Sequence, residues 1–446
     1  MKVTCRITVS VTTTRERMTA SVTSRERETA SAISRERVRL ASVVFAVLFA
    51  QLLVYPGIDT LVTALGASSV LGASTWFLAV ELCASILFVW VWGLVSDATG
   101  ERVRLLRAGG LLAAASYGCL AALPQVTTLP FAGTLTVRAV QGAATIGVLS
   151  LAMTMLMDLP GGHGRNMGAA GIAIGSGTAL GAPVGGLLYE LGPFVPLWLA
   201  ALLGGTTAAL SVGLSDRSPA ATGESDATAA TVEDDTTAGA SRNGGPRAVL
   251  VRVRRTPALA VPYAFGFIDR LSAGVFALAG TLYFRTEFEL SPSATGAMLF
   301  LFFAPFALFQ YPFGALSDRI GRATPVVAGS VGYGLGVATV GVAPTVTVVG
   351  VAMVAVGVVG AFMSPATMAL VTDLADEADR GVAMAGFNAT GSVGFLAGVV
   401  LTGSVAGSAG FTTVFLVAGG VEILLAAVAA PAVVRLASDT AEETSA

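Results

Sequence analysis

A few charged and amide side chains stand inside segments that are otherwise apolar, and these are the groups that could bind a ligand or carry a proton. Arg138 and Gln141 lie in one such segment, and Thr145 shares their helical face because residues at i, i+3 and i+7 align. An arginine in the middle of a membrane is costly, so it must face a water-filled cavity or pair with a carboxylate. A functional role and a structural role that pins helices together both fit this pattern.

Other ionisable residues stand in apolar segments of both halves of the chain. Gln51, Tyr55 and Asp59 follow one another at four-residue intervals and would form a polar stripe on a straight helix. Asp269 and Arg270 are adjacent, so their side chains diverge by about 100° and are not expected to pair simply with each other. Burial favours a neutral carboxyl group and a nearby arginine favours the ionised form, so alternation between these settings could load and release a proton. A static ion pair is the alternative interpretation.

The elements that position these residues are predicted from hydropathy. The chain has 446 residues, of which 54% are hydrophobic and 12% charged, whereas a soluble protein carries about 25% charged residues. A membrane-spanning helix needs about 20 apolar residues. This length predicts an all-α polytopic membrane protein with transmembrane helices at 40–64, 72–95, 105–123, 129–157, 166–190, 194–214, 257–283, 293–316, 324–343, 345–372, 381–405 and 411–434.

Two polar loops repeat the same residues at a constant offset of 221 positions (93 to 314). The matched residues are Gly93, Ser96, Asp97 and Gly100 in the first loop and Gly314, Ser317, Asp318 and Gly321 in the second. An internal repeat of half the chain is typical of secondary transporters. We therefore predict two six-helix pseudo-repeats, at 40–214 and 257–435.

Three polar segments flank these bundles. Residues 1–39 repeat Ser/Thr-Arg-Glu-Arg and have few large apolar side chains, so we expect a disordered tail. Residues 215–256 predict a flexible linker, and 436–446 a short tail. Placing all three in the cytoplasm puts 23 of the 26 lysines and arginines on that side, as the positive-inside rule requires.

The repeated loops resemble the signature of the major facilitator superfamily between its second and third helices. Gly314, Leu316, Asp318, Arg319, Gly321 and Arg322 fit that signature closely, and Gly93, Asp97, Gly100 and Arg102 fit it loosely. The first copy departs by having Ala98 and Glu101 where basic residues are common. In the family, the aspartate and the nearby arginine help to latch the two halves on the cytoplasmic side. The resemblance covers about 40–435 without the linker.

Two further segments resemble motifs of this superfamily. Arg138 followed by Gln141-Gly142 is similar to its fourth-helix motif, which is associated with proton coupling. The fifth span resembles the antiporter motif G-x-x-x-G-P-x-x-G-G, except that Ala182 replaces its proline. The matching residues are Gly177, Gly181, Pro183, Gly185 and Gly186. Plain helix packing is the alternative reading of these small residues.

The resemblance also ranks the charged residues, because helices one, four, seven and ten line the central cavity in the family. It favours Asp59, Arg138, Asp269 and Arg270 as coupling residues, leaves Glu81 intermediate and places Glu422 last.

Together these patterns predict a transporter of a small molecule by alternating access, with proton-coupled efflux favoured. Proton- or sodium-coupled uptake of a metabolite is the alternative, and a transporter-like sensor is a more distant one. No nucleotide-binding loop is present and His163 stands alone in a loop, so we expect neither an enzyme nor a cofactor nor a metal site. We expect a monomer in the cell membrane that binds no nucleic acid.

Overall fold

Twelve apolar helices form the fold of the residues that the structure describes. The computed structural model describes residues 31–127, 130–160, 162–216, 246–376 and 379–445. Within these ranges, 11 helical segments are long and apolar enough to cross a membrane. The last of them turns sharply at Gly410 (φ 79°), which divides it into two crossings. The helices are α1 Ser31–Ala64, α2 Val70–Thr99, α3 Arg102–Val126, α4 Phe131–Met157, α5 His163–Tyr189, α6 Val195–Leu210, α7 Pro257–Thr286, α8 Pro292–Ile320, α9 Ala323–Val342, α10 Val346–Asp373, α11 380–409 and α12 411–445.

The internal repeat is visible in how equivalent helices begin and end. A serine hydroxyl caps both α2 and α8: Ser69 Oγ accepts from the Gly72 amide at 3.3 Å, and Ser291 Oγ from the Ala294 amide at 3.2 Å. Such caps satisfy amides that have no partner inside the helix. Both helices end at a glycine with positive φ, 67° at Gly100 and 84° at Gly321. The predicted fold of two six-helix halves is therefore confirmed.

Each half has its own apolar core. In the N-terminal half (α1–α6), Leu53, Phe77 and Tyr117 belong to one buried cluster. In the C-terminal half (α7–α12), the corresponding cluster includes Phe276 and Tyr333.

The two cores meet where α7 passes alongside the N-terminal half. Leu278 and Leu282 on α7 pack into the N-terminal cluster. The same stretch, Phe276–Gly280, is a π-helical turn. Such turns are rare inside α-helices.

Helix α1 is bent, which changes the predicted polar stripe. The α-helix breaks after Leu52, and Tyr55–Gly57 form a 3-10 turn before Ile58–Ala64. Pro56 has no amide hydrogen and cannot continue an α-helix without loss of a hydrogen bond. The stripe of Gln51, Tyr55 and Asp59 assumed a straight helix and is wrong in that respect. Asp59 instead points to the other half, as described below.

Helix is already present at Ser31, the first described residue, so the predicted tail of 1–39 extends too far. Its first turns are anchored by polar contacts to the ends of α4 and α5. Arg37 Nε donates to Asn166 Oδ1 at 2.7 Å, and Arg37 Nη2 to the Pro160 carbonyl at 3.1 Å. The hydrogen bonds explain why a polar stretch is helical here. Residues 1–30 lie outside the described residues.

The linker and the last tail also contain helix where we expected none. Pro246–Arg255 is a short helix that packs Val249 and Val253 against the C-terminal half. Arg252 Nη2 lies 2.8 Å from an Asp376 carboxylate oxygen, which fixes the helix beside the α10–α11 connection. Helix α12 continues through the predicted tail to Ser445. Residues 217–245 lie outside the part that the structure describes.

Candidate transport site and gates

A buried ion pair occupies the centre of the N-terminal half. Arg138 on α4 is fully buried, and its Nη2 donates to the carboxylate of Glu81 on α2. Its Nη1 donates to Gln141 Oε1 at 2.6 Å, and its Nε to the Phe77 carbonyl at 3.4 Å. The guanidinium carbon lies 4.3 Å from the centroid of the Phe77 ring. The cation is therefore satisfied by a carboxylate, an amide, a carbonyl and an aromatic face.

Gln141 extends this network to a third helix. Its amide nitrogen donates to the Tyr117 hydroxyl on α3 at 3.0 Å and to Thr145 Oγ1 at 3.2 Å. The same nitrogen lies 3.4 Å from Glu81 Oε1. Arg138, Gln141 and Thr145 thus lie on one face of α4, toward α2 and α3. A proton accepted by Glu81 would leave Arg138 without its counter-charge and would disturb every member of the network.

Gly142 explains why α2 and α4 come close enough to pair. A Cβ at this position would lie 2.5 Å from the Glu81 carbonyl oxygen, which no side chain tolerates. Glycine therefore permits the backbones to touch. The consequence is that the short Glu81 side chain reaches the guanidinium of Arg138.

Asp269 and Arg270 lie near the middle of α7 and are more exposed. Arg270 Nε lies 3.9 Å from Asp269 Oδ2, so the two adjacent residues do make a marginal ion pair. The Arg270 side chain is 51% exposed. An exposed guanidinium at mid-helix is tolerable only beside water. This makes the surface between the halves, which α7 lines, the candidate passage.

An ion pair joins the two halves at one end of the bundle. Arg285 on α7 lies 2.9 Å from Asp59 on α1 (Nε to Oδ2) and donates to Thr60 Oγ1 at 3.3 Å. Its Nη1 donates to the Leu290 carbonyl at 2.7 Å, which orients the guanidinium. Asp59, which sequence analysis placed among the cavity residues, belongs instead to this contact between halves.

A second polar contact between the halves lies at the same end. The Glu190 carboxylate, just after α5, accepts from the Ser293 hydroxyl at 3.0 Å and from the Ser293 amide at 3.3 Å. Both hydrogen bonds hold the pKa of the Glu190 carboxyl below its usual value, and the one from the Ser293 backbone amide has the larger effect. The contact joins α5 to the start of α8. We refer to Asp59–Arg285 and Glu190–Ser293 together as the distal gate.

The arginines of the repeated loops lie at the other end, and each pairs within its own half. Arg102 pairs with Asp158 at the end of α4 (2.5 Å). Arg322 pairs with Asp318 (2.5 Å) and with Asp373 at the end of α10 (3.1 Å). Both halves therefore tie the repeated loop to the end of their own fourth helix. Among the described residues, no ion pair of these loops joins the two halves.

The remaining loop residues lie in or beside the last turns of α2 and α8. Asp97 is exposed and, within the described residues, has no side-chain hydrogen bond or ion pair. The residues Gly93, Gly314 and Arg319 also lie inside the helices, which end only at Gly100 and Gly321.

The fifth-helix glycines are contact points on two sides of α5. A Cβ on Gly177, Gly181 or Gly185 would lie within 3 Å of α1 atoms. A Cβ on Gly186 would lie 2.3 Å from the Pro292 carbonyl oxygen, on α8 of the other half. Pro183 is accommodated inside the helix beside this crossing.

Several members of these sites were not predicted from the sequence. Asp158, Asp373 and Glu190 end helices and look like ordinary terminal carboxylates in the sequence. Arg285 carried a signal, because it falls between the predicted spans 257–283 and 293–316, on the side opposite the cytoplasm where basic residues are rare, and Asp59 is a carboxylate at the same level. Charge complementarity between these two positions could have found the gate.

The fold and these contacts define a helical membrane protein of two repeated halves joined at the distal gate. The sequence profile of the Major Facilitator Superfamily matches residues 40–269 and 263–446. The chain belongs to this superfamily of transporters. A comparison with curated proteins found no significant match.

Solved structures with this fold support the assignment. A crystal structure of the nucleoside transporter NupG aligns with a TM-score of 0.70 and 16% identity over 90% of this chain and 99% of NupG. A bacterial homologue of the human lysosomal transporter Spinster, inward-facing and unoccupied, aligns at 0.69 and 11% identity, covering 92% and 98%. A D-xylose–proton symporter aligns at 0.68 and 13% identity, covering 87% and 96%. At these identities the likeness concerns the fold alone.

Proposed function

We propose that the chain is a proton-coupled exporter of small, mostly apolar molecules that works by alternating access in the cell membrane. Its arginine-rich end and both termini are cytoplasmic, following the positive-inside rule. The distal gate then joins the halves at the outer end, and the arginines of the repeated loops lie at the cytoplasmic end. We propose that it acts as a monomer.

The observation that carries the proposal is the α5–α8 crossing. Gly186 on α5 and Gly296 on α8 each bring backbone against backbone of the other half; a Cβ on Gly296 would lie 2.5 Å from the Ala182 carbonyl oxygen. A close crossing of small residues allows one half to tilt against the other without a side-chain clash. This position of the antiporter-like motif, between the halves and beside Pro183, favours exchange over uptake.

Opening to the outside requires the distal gate to break. Arg285 then loses Asp59, and Ser293 loses Glu190. The ion pairs of Arg102 and Arg322 now lie within their own halves. On opening, each of them moves toward the other half. The gate contacts are few and partly exposed, so each contributes little by itself, as surface ion pairs do.

The buried pair of Glu81 and Arg138 provides the proton step. In the present conformation the Glu81 carboxylate accepts a hydrogen bond from Arg138. When the halves tilt and water from the outer side reaches this pair, protonation of Glu81 frees Arg138. The freed cation destabilises that conformation until the proton is released to the cytoplasmic side, and this links proton entry to export.

The test uses everted membrane vesicles with an acidic lumen. The cytoplasmic face of the protein then meets the medium, and acridine orange reports the proton gradient as compounds from an apolar panel are added. Exchange predicts that a substrate entering the lumen releases protons, so the dye fluorescence recovers. Symport predicts no such release, because substrate and proton would enter together.

Arg138→Met vesicles are the control for coupling. They should show no recovery for any compound that is active with the wild type. If no compound in the panel discharges the gradient, but radiolabelled metabolites enter right-side-out vesicles down an inward proton gradient, the direction proposed here is wrong.

A further inference from the structure

A second buried carboxyl group, Glu422 on α12, lies outside the network of Arg138. Its side chain is fully buried inside the C-terminal half. Neither carboxyl oxygen has a hydrogen-bond partner among the described residues. This distinguishes Glu422 from Glu81, whose oxygens contact Arg138 and Gln141.

Close packing of two glycines holds Glu422 in this position. A Cβ on Gly334 of α9 would lie 2.6 Å from the Gly419 carbonyl oxygen, and one on Gly419 would lie 2.3 Å from the Gly334 carbonyl oxygen. Glu422 follows Gly419 by three residues, and its Cβ lies 3.1 Å from the Cβ that Gly334 lacks. The carboxyl group is thus fixed at the α9–α12 crossing and cannot swing to the surface without separating the two helices.

The groups near Glu422 come from two neighbouring helices, α7 and α9. Phe265 on α7 and Ala426 on α12 share one buried cluster with Val326 of α9, so Asp269, one turn after Phe265, lies near Glu422, one turn before Ala426, and its charge acts on Glu422. Tyr333 directly precedes Gly334, the residue of α9 on which the Glu422 Cβ packs. Ser330 on α9 lies beside Glu422, but its hydroxyl donates to the Met363 sulfur on α10 at 2.8 Å.

These surroundings do not stabilise an anion at Glu422. A buried ionised carboxylate without a partner costs many kcal/mol, so such a group is found neutral. Arg270 lies 3.9 Å from Asp269 and is half exposed, and no described residue forms an ion pair with Glu422. A nearby negative charge on Asp269 further disfavours ionisation, as in other carboxyl pairs.

We propose that Glu422 and Asp269 form a proton-binding site in the C-terminal half, in which Glu422 holds the proton and Asp269 exchanges it with water in the passage. This site deepens the proposed proton-coupled function and rests on it for its use in transport. Ser330 is the available donor when the proton leaves, because its hydroxyl can turn from the weak sulfur acceptor to the carboxylate. The site is separate from Arg138 and Glu81 and is carried by different helices.

Infrared spectroscopy of the full chain in proteoliposomes tests the site without a substrate. Proton-bearing carboxyl groups show a C=O stretching band that shifts on deuteration and disappears on ionisation. We expect a band that survives at neutral pH in the wild type and in the control Glu287→Gln, whose carboxyl group is exposed. The band should be absent from Glu422→Gln.

Two variants keep the carboxyl group of Glu422 and test its surroundings. Asp269→Asn removes the neighbouring negative charge, so the band should disappear at lower pH than in the wild type. Ser330→Ala removes the donor, so the band should persist to higher pH. These shifts of opposite sign remain measurable if Glu422→Gln does not fold.

The outcomes separate this site from the proposed export. A band that is unchanged in Glu422→Gln, or that titrates identically in Asp269→Asn and the wild type, overturns the site even if export is observed. A band with the expected behaviour supports the site even if every compound fails in the vesicle assay, in which case the export proposal is the one at fault.

Discussion

Removal of one member of the Arg138–Glu81 pair should destabilise the protein far more than removal of both. Arg138→Met leaves the Glu81 carboxylate buried, and Glu81→Leu leaves the guanidinium buried. Breaking a buried pair in this way costs about 3–5 kcal/mol, whereas replacement of both partners by apolar residues is often neutral or stabilising. We expect the double variant to unfold within about 1 kcal/mol of the wild type or above it.

The magnitude follows from the complete burial of both side chains. Arg138 is 0% exposed and Glu81 is 3% exposed, so water cannot replace the missing partner. None of the substitutions removes the Tyr117 and Thr145 hydroxyls, to which the Gln141 amide donates in the wild type. Two single losses of about 3 kcal/mol each and a double loss of at most about 1 kcal/mol give a coupling free energy of about 5 kcal/mol or more, which is above the roughly 0.5–3 kcal/mol usual for residues in contact.

The assay is reversible unfolding of the purified protein in detergent micelles for the wild type, both single variants and the double variant. The exposed pair of Arg104 and Glu101 is the matched control, since it also joins an arginine to a glutamate. Arg104→Met with Glu101→Leu should show no measurable coupling, because water screens the exposed pair. Additive losses at Arg138 and Glu81 would refute the reasoning that the pair is held by mutual neutralisation.

Three further predictions concern the gates and the helix crossing. Asp318→Asn should weaken transport while leaving the amount of inserted protein unchanged. The measurement is vesicle flux normalised to the amount of the protein in the membrane. Unchanged flux would show that the second repeated loop has no role in transport. Asp59→Arg should reduce export about tenfold, which corresponds to a shift of about 1.4 kcal/mol in the equilibrium between conformations. Adding Arg285→Asp, which swaps the two charges, should restore export. If export is not restored, Asp59 and Arg285 do not act as a pair. Gly186→Ala should impair flux because its Cβ would lie 2.3 Å from a carbonyl oxygen of the other half. The control Gly205→Ala should leave flux unchanged, because a Cβ there meets open space. Equal effects of the two substitutions would mean that α5 and α8 do not cross tightly.

The number of helices and the duplication could be predicted from the sequence because they depend on local properties. Apolar length fixes a span, and the repeated Gly-Ser-Asp-Gly pattern fixes the relation between α2 and α8. Irregular segments were harder to predict from the sequence. The helix over residues 31–39 is held by Arg37, which donates to Asn166, a contact between residues 129 positions apart, and no local pattern reports such a contact.

Partners of the charged residues were harder to predict than the charged residues themselves. The sequence identified Arg138 as needing a carboxylate but ranked Glu81 below Asp59, because helix position in the family was used in place of packing. Gly142 determines which carboxylate pairs with Arg138, because the absence of a side chain there lets α2 pack directly against α4. Glu422 ranked last for the same reason, although the close crossing of α9 and α12 at two glycines buries its side chain.

Paired distance measurements across both ends of the bundle test alternating access most directly. Spin labels at Thr63→Cys and Glu287→Cys span the distal gate, and labels at Thr99→Cys and Arg319→Cys span the arginine-rich end, after Cys5, Cys83 and Cys119 are replaced by serine. When Asp59→Arg breaks the gate, the account predicts that the distal distance lengthens and the arginine-rich distance shortens in the same sample. A distal distance that lengthens while the other stays fixed would show local opening without tilting of the halves, and would contradict the account.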